Sequence, residues 1–351
     1  MPALLPALEK EMVLRKDEIR SPRTLYIGGG TPSLYPAKDL LKLVALARRL
    51  WGVDFEECTV ELNPEDVTEA YCCALREGGV NRLSLGIQSF SDEDLRWMHR
   101  RHDAARGMAA VRAAQKAGIS NVSIDLIFGF PGLSLARWKA HIEQALALEP
   151  THLSAYQLGI EPGTPLYRRY IRGCLQPLAQ EAAAAQYAYL QERMAAAGWE
   201  QYEISNFARP GYRALHNSAY WKGSPYLGLG PSAHSFDGWC RKANVKSVEG
   251  YMKALAEGRL ALRRERADAQ SRYNEFLLTR LRRDEGFSAS ELLAWMTVPE
   301  RGMEGAEWLA CWERLSQESL RKGLLRCQGE HIKIPPDKWF VSDGIIMALM
   351  I

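Results

Sequence analysis

An α/β fold built on a parallel sheet, followed by a smaller and mostly helical domain, is what the sequence predicts. Three observations carry this expectation. The first two-thirds of the chain alternates strand-like and helix-like stretches at the spacing of right-handed crossovers. Those strand-like stretches pair an apolar face with a small or polar one. The last third loses the alternation and becomes helical and rich in arginine.

The strands are read at residues 24–30, 58–63, 82–89, 121–129 and 152–160. In the third of these, Leu83, Leu85 and Ile87 share one face, and Ser84, Gly86 and Gln88 the other. In the fourth, Val122, Ile124, Leu126 and Phe128 oppose Ser123, Asp125 and Ile127. Val60 and Leu62 oppose Thr59, Glu61 and Asn63, and Leu153 and Ala155 oppose Ser154 and Tyr156. A packed parallel sheet is normally apolar on both faces. Polar residues recurring on one face, toward the strands' C-terminal halves, mark where α/β barrels set their active sites. Such a sheet is either open or curled into a barrel.

The helices between the strands carry end signals. Ser91 is an N-cap with Asp92 and Glu93 in the first turn, and Asp103 opens the next helix, which Gly118 ends after Ala117. Residues 135–148 and 181–197 read as two more helices.

In the last third, residues 259–283 read as an arginine-rich helix, and 288–293, 308–323 and 324–334 as helix, helix and strand, with 335–351 a closing segment. This order is winged-helix-like, and it divides the chain into residues 1–245 and 246–351. Glu265, Asp268, Glu275, Asp284 and Glu285 interleave with the arginines. The arginine helix is therefore expected as a solvated face with i,i+4 pairs rather than a nucleic-acid surface.

Composition narrows the class. Of 351 residues, 47% are apolar and 25% charged, the balance of a globular protein with a sizeable core. A net charge of +3 names no nucleic-acid or membrane partner. Residues 1–17 do not read as a secretory signal, because Pro6 and Glu9 break the apolar stretch. No run reaches the ~18 apolar residues of a membrane span, so the cytoplasm is the expected address. The seven cysteines are scattered, without CxxC or CxxxCxxC, so neither a zinc site nor a cluster loop is read. They are expected as free thiols in a reducing compartment.

Two segments carry chemistry. The first is Thr24-Leu-Tyr-Ile-Gly-Gly-Gly-Thr-Pro32. Three glycines after a buried strand allow positive φ and close backbone approach, and successive N–H groups there form a nest for an anion. The same turn also serves as a plain strand–helix connection, and it fits neither GxGxxG nor a P-loop. The second is the set Glu61, Gln88 and Asp125, on three strands with the same inward polarity, joined by Arg100 from the helix after Gln88. Two carboxylates, an amide and a guanidinium suit a zwitterion or a ribose. Buried, each would need a partner, so an internal salt-bridge network is the structural alternative.

GGGTP, then VELNPED (60–66), RLSLGIQSF (82–90), SIDLIFGFPG (123–132) and SAYQLGIEPGTPLY (154–167) resemble the HemN/HemW family of radical S-adenosylmethionine (SAM) proteins in order and spacing. The match continues through EISNFARPG (203–211), HNSAYW (216–221), YLGLGPSAHSF (226–236) and IPPDKWFVSDGII (334–346), nearly the whole chain. HNSAYW favours the heme-chaperone branch over the anaerobic coproporphyrinogen III oxidase.

The resemblance implies a partial (β/α)6 radical SAM barrel. It implies that Gly28, Gly29, Gly30, Thr31 and Pro32 position the methionyl end of S-adenosylmethionine, and that Glu61, Gln88, Arg100 and Asp125 contact the same cofactor. It links His216 with heme, for which a structural hydrogen bond to a neighbouring backbone is the alternative role, and His234 is a second candidate. Tyr220, Trp221 and Tyr226 either stack on a porphyrin or pack in the core. The family opens with a strand and a CxxxCxxC loop upstream of the helix preceding GGGTP. Met1 falls inside or just before that helix, so the first barrel strand and the cluster cysteines are expected to be missing here. A [4Fe-4S] cluster is then expected only in a full-length form, with no metal site in this chain. Heme and a membrane-associated heme acceptor are the implied partners, and nucleic acid is not. Oxygen-independent coproporphyrinogen oxidation is the catalytic alternative, and a winged-helix nucleic-acid binder with a degenerate barrel the non-enzymatic one.

Overall fold

The computed structural model describes residues 4–298 and 303–351, without the side chain of Arg266. In chain order, α1 (Leu4–Arg15) precedes β1 (Thr24–Ile27), α2 (Ala37–Trp51), β2 (Glu57–Leu62), α3 (Glu69–Glu77), β3 (Arg82–Gln88), α4 (Asp92–Trp97) and α5 (Ala104–Lys116). Then come β4 (Asn121–Phe128), α6 (Leu135–Ala147), β5 (His152–Gln157), α7 (Pro165–Ile171), α8 (Gln180–Ala196), β6 (Glu200–Glu203) and β7 (Asn206–Ala208). These seven strands form one curled sheet in the order β1-β2-β3-β4-β5-β7-β6. The pairs from β2 to β5 are parallel, and β7 and β6 close the far edge antiparallel. The α/β class expected from the strand–helix alternation is the one observed.

Period two places the core. Leu83, Leu85, Ile87, Ile124 and Leu126 are all 0% exposed, whereas Glu61, Gly86, Gln88 and Asp125 on the other face keep some exposure. The caps are formed as the sequence predicts. Ser91 Oγ accepts from Asp94 N, and Asp103 Oδ1 accepts from Arg106 N at 2.7 Å, each worth about 1 kcal/mol. Gly118 ends α5 at φ +80°, where an added Cβ would stand 2.7 Å from Arg76 Nη1. That guanidinium donates to the Ala117 carbonyl at 2.8 Å.

Two strands are shorter than expected. β1 stops at Ile27 because the chain turns at Gly29, φ +77°, and β5 stops at Gln157.

Two compact units group the residues. One comprises Tyr26–Lys38 with Glu57–Ala214, the other Met1–Leu25, Asp39–Glu56 and Leu215–Ile351. The second contains α9 (Leu215–Trp221), β8 (His234–Phe236), β9 (Cys240–Asn244), α10 (Val248–Ala256), β10 (Leu262–Arg266), α11 (Ala269–Arg280), β11 (Phe287–Ser288), α12 (Ala289–Met296), α13 (Gly305–Arg321), β12 (Arg326–Gln328), β13 (His331–Lys333) and α14 (Ser342–Met347). Its strands form two small sheets, β10-β9-β8 and β11-β13-β12.

Three expectations for this region are corrected. Residues 259–283 are not one helix: Leu262–Arg266 pairs antiparallel with β9, and α11 starts only after Asp268 caps it. Residues 324–334 are not one strand: the chain reverses at Gly329, φ +60°, into the hairpin β12–β13. The arginines are not all a solvated face. Arg272, Arg280 and Arg283 are 8%, 6% and 7% exposed. Arg272 lies 4.1 Å over the Trp295 ring and Arg280 5.2 Å from it, so cation–π contact and carbonyl acceptors replace water around these guanidinium groups.

Candidate functional site

Polar residues of β2, β3 and β4 meet the glycine turn around a cavity of about 210 Å³, lined by Gly30, Thr31, Pro32, Glu61, Leu62, Asn63, Ser84, Gly86, Gln88, Arg100 and Asp125. Glu61 is the best-held group. Tyr26 Oη donates to its Oε1 at 2.6 Å and Gly29 N to its Oε2 at 3.0 Å. The turn closes over this carboxylate: a Cβ on Gly28 would lie 2.5 Å from both Glu61 Cδ and the Tyr26 ring. Glycine is thus required at 28 by proximity and favoured at 29 by φ. Burial, then Glu61, raises the Tyr26 phenol well above its ordinary value, so it donates at any physiological pH.

Asp125 sits on β4 opposite Ser154 of β5, and Ser84 Oγ donates to its carboxylate at 3.3 Å. Burial pushes the Asp125 carboxyl up to about 6; the Ser154 hydrogen bond and Arg82 oppose this, and the charge of Glu61 adds to it. Two nearby carboxylates in one polar hollow favour a cationic guest.

Gln88 is delivered by local irregularity. The β3–β4 register slips between Leu85 and Gln88, and Gln88 itself has φ +65°. A non-glycine residue held there costs about 1–3 kcal/mol, a strain found where a side chain is aimed at a site. Gly86 makes room for it: a Cβ there would be 3.0 Å from Gln88 Nε2 and 3.3 Å from Arg100 Nη2.

Arg100 is not in a helix as expected. α4 ends at Trp97, His99 takes φ +55°, and Arg100 N returns to the Leu95 carbonyl at 2.8 Å. This left-handed turn swings the guanidinium back, 3.4 Å from Asn63 Oδ1 and 3.3 Å from the Gly86 carbonyl. The anticipated set Gly30, Thr31, Pro32, Glu61, Gln88, Arg100 and Asp125 is thus brought together, with Gly28 and Gly29 behind Glu61. Tyr26 is not singled out by the sequence, and Ser154 is legible in it only as a residue of the polar face of β5. Ser84, Gly86 and Asn63 were legible only as neighbours on the polar faces.

The two histidines lie elsewhere and apart. His216 is on α9, in the other unit, bordering a cleft of about 610 Å³. Its Nδ1 is 2.8 Å from Thr24 Oγ1, and its ring meets Tyr220 edge-on at 5.0 Å. Tyr220 in turn meets Tyr226 at 4.6 Å. His234 opens β8 beside a separate hollow of about 450 Å³ with Arg241, Lys246 and Arg263.

A cluster does not fit the cysteines present. Among the described residues no three His, Cys, Asp or Glu groups are placed to hold a metal. Burial pushes the Cys72 thiol up to about 12, which keeps it protonated. By contrast, the donor set around Glu61 and Asp125 suits S-adenosylmethionine, with carboxylates for an ammonium, sulfonium or ribose and a guanidinium for a carboxylate. Among the described residues no helix is long and apolar enough to cross a membrane.

Residues 4–145 match the Radical SAM superfamily. The heme chaperone HemW of Bacillus subtilis (strain 168) is 38% identical over 257 residues, 72% of this chain and 68% of the relative. That of Mycobacterium tuberculosis (strain ATCC 25618 / H37Rv) is 33% identical over 350 residues, 99% of this chain and 86% of the relative. The mitochondrial radical S-adenosyl methionine domain-containing protein 1 of Bos taurus is 33% identical over 98% of this chain and 79% of its own. Coproporphyrinogen III oxidase (HemN) from Escherichia coli, a radical SAM enzyme, shares the fold with a TM-score of 0.81 at 22% identity, covering 99% of this chain and 82% of that one.

Proposed function

The chain belongs to the HemW family of the Radical SAM superfamily, and from that membership we propose that it traffics heme, holding heme in the α9 cleft and S-adenosylmethionine in the Glu61–Asp125 hollow. Radical SAM proteins use S-adenosylmethionine with a [4Fe-4S] cluster, which supplies the electron for reductive cleavage of the sulfonium. The cysteines of this chain do not fit a cluster, so no step is derived through one.

At the hollow, Glu61 and Asp125 would meet the positive end of the cofactor and its ribose. Arg100 and Gln88 would hold its carboxylate and polar edges, and Gly28 to Pro32 would pack against its methionyl end. The Tyr26 and Gly29 hydrogen bonds keep Glu61 oriented before any ligand arrives.

The observation that carries the heme reading is the position of His216. Its Nδ1 contact with Thr24 fixes the imidazole at the edge of an aromatic-lined cleft, in the way outer hydrogen bonds orient metal-ligating histidines. A cleft bordered by Trp51, Phe55, Tyr220 and Tyr226 suits a flat macrocycle. His234, beside a polar hollow, is the lesser candidate. Residues 1–245 would carry these sites, with 246–351 as a supporting domain. The proposed partners are heme and a membrane-associated acceptor protein, in the cytoplasm.

A protein that traffics heme must release it. The test loads the protein with hemin, adds apomyoglobin, and follows the Soret band. Transfer complete within minutes to hours is expected. Absence of saturable loading, or hemin retained against excess apomyoglobin, would contradict trafficking.

A further inference from the structure

We infer that the α9 cleft selects macrocycles bearing free carboxylates, and that Arg20 and Lys222 are the residues that bind them. This rests on the reading of the cleft as a heme site and deepens it by naming the feature of the guest that is recognised.

The cleft joins apolar walls to a cationic border. Arg20, Arg23 and Lys222 all border it, against two acids, Glu18 and Asp237. Both acids are already engaged. Glu18 is held by Arg15 Nε at 2.9 Å and by Lys242 Nζ at 2.8 Å, and these cations, Arg15 first, depress its carboxyl to about 2. Asp237 Oδ1 accepts from the backbone N–H groups of Trp239 and Cys240 at 3.0 and 2.7 Å. Among the cations, Arg23 is taken by Glu56 at 2.5 Å.

Arg20 and Lys222 differ: both are exposed, and among the described residues neither has an ion-pair partner. They come from different elements. Lys222 follows the last turn of α9, and Arg20 lies in the loop between α1 and β1, where Ser21 holds φ +46°. A left-handed serine in a cleft wall is a conformation the surroundings must enforce. The cleft thus offers two uncompensated cations beside an aromatic wall. A planar ligand with two carboxylates satisfies both features, the ring against the wall and each carboxylate on a cation by a charge-assisted hydrogen bond. A neutral apolar ligand would leave the cations unused, and a simple phosphate would leave the wall uncovered.

The test compares hemin with hemin dimethyl ester, titrated by absorbance into the whole chain and into Arg20→Ala/Lys222→Ala. Wild type is expected to bind hemin about tenfold or more tightly than the ester. The double variant should bind hemin and ester alike, with ester affinity and Soret position unchanged, because the iron ligand is untouched. Arg20→Lys/Lys222→Arg should restore most of the preference. Metal-free protoporphyrin IX should show the same loss in the double variant. Equal wild-type affinity for hemin and ester, or a preference that survives in the double variant, overturns this inference and leaves the heme reading standing. No saturable hemin binding to wild type overturns both.

Discussion

Arg280 donates from Nη1 to the carbonyl of Trp221 at 2.6 Å, and from Nη2 to the carbonyl of Lys222 at 2.9 Å. A guanidinium from α11 thereby satisfies the exposed carbonyls at the end of α9, the short helix that carries His216. The last carbonyls of a helix lack intrahelical donors, and a cation there also complements the helix dipole. Burial lowers the Arg280 guanidinium to about 10, with Arg283 adding to the shift, so it remains charged at neutral pH.

Arg280→Ala should therefore destabilise the protein by about 2–4 kcal/mol, since two carbonyls lose their partner and the ring contact with Trp295 is lost. Urea denaturation measures this. Arg280→Lys should recover only part, because an ammonium cannot serve both carbonyls in a fixed fork.

Gly28→Ala should weaken S-adenosylmethionine binding by about tenfold or more, because the methyl would displace Glu61 or Tyr26 from the 2.5 Å approach seen at that position. Tyr26→Phe removes one of two hydrogen bonds to Glu61 and should weaken it less, by about 1 kcal/mol. Calorimetric titration distinguishes the two. Equal affinity in all three proteins would remove Glu61 from the cofactor site.

The Asp125 carboxyl should impose a pH dependence. Its value rises from 3.8 to about 6 on folding. Between these values the folded state holds a proton that the unfolded chain has released, so stability falls as pH rises through that window. Ligand binding runs the other way: a cationic cofactor prefers the ionised carboxylate, so S-adenosylmethionine affinity should increase as pH passes upward through about 6. Asp125→Asn should flatten both curves. A variant whose affinity keeps the wild-type pH profile would show that another group titrates.

Much of this arrangement is legible in the sequence, for local reasons. Alternation in 82–89 and 121–129 puts Gln88 and Asp125 on one face, because period two is fixed by strand geometry. The caps at Ser91 and Asp103 need only their immediate neighbours. What could not be read depends on distant residues. Arg272 and Arg280 turn inward because Trp295, from another helix, meets them. Arg100 leaves its helix because His99 takes a left-handed turn, which histidine does not advertise. The α9 cleft is assembled from residues 18–25, from Trp51 and Phe55, and from residues in 215–237, and no single segment announces it.

The most direct test of the central claim is an absorbance titration of hemin into wild type and His216→Ala under reducing and oxidising conditions. Saturation at one hemin per chain, with a Soret band that shifts and weakens in His216→Ala while the fold is retained, is the predicted result. Identical spectra and affinity in the two proteins would contradict the assignment of His216 and of the α9 cleft as the place where heme is held.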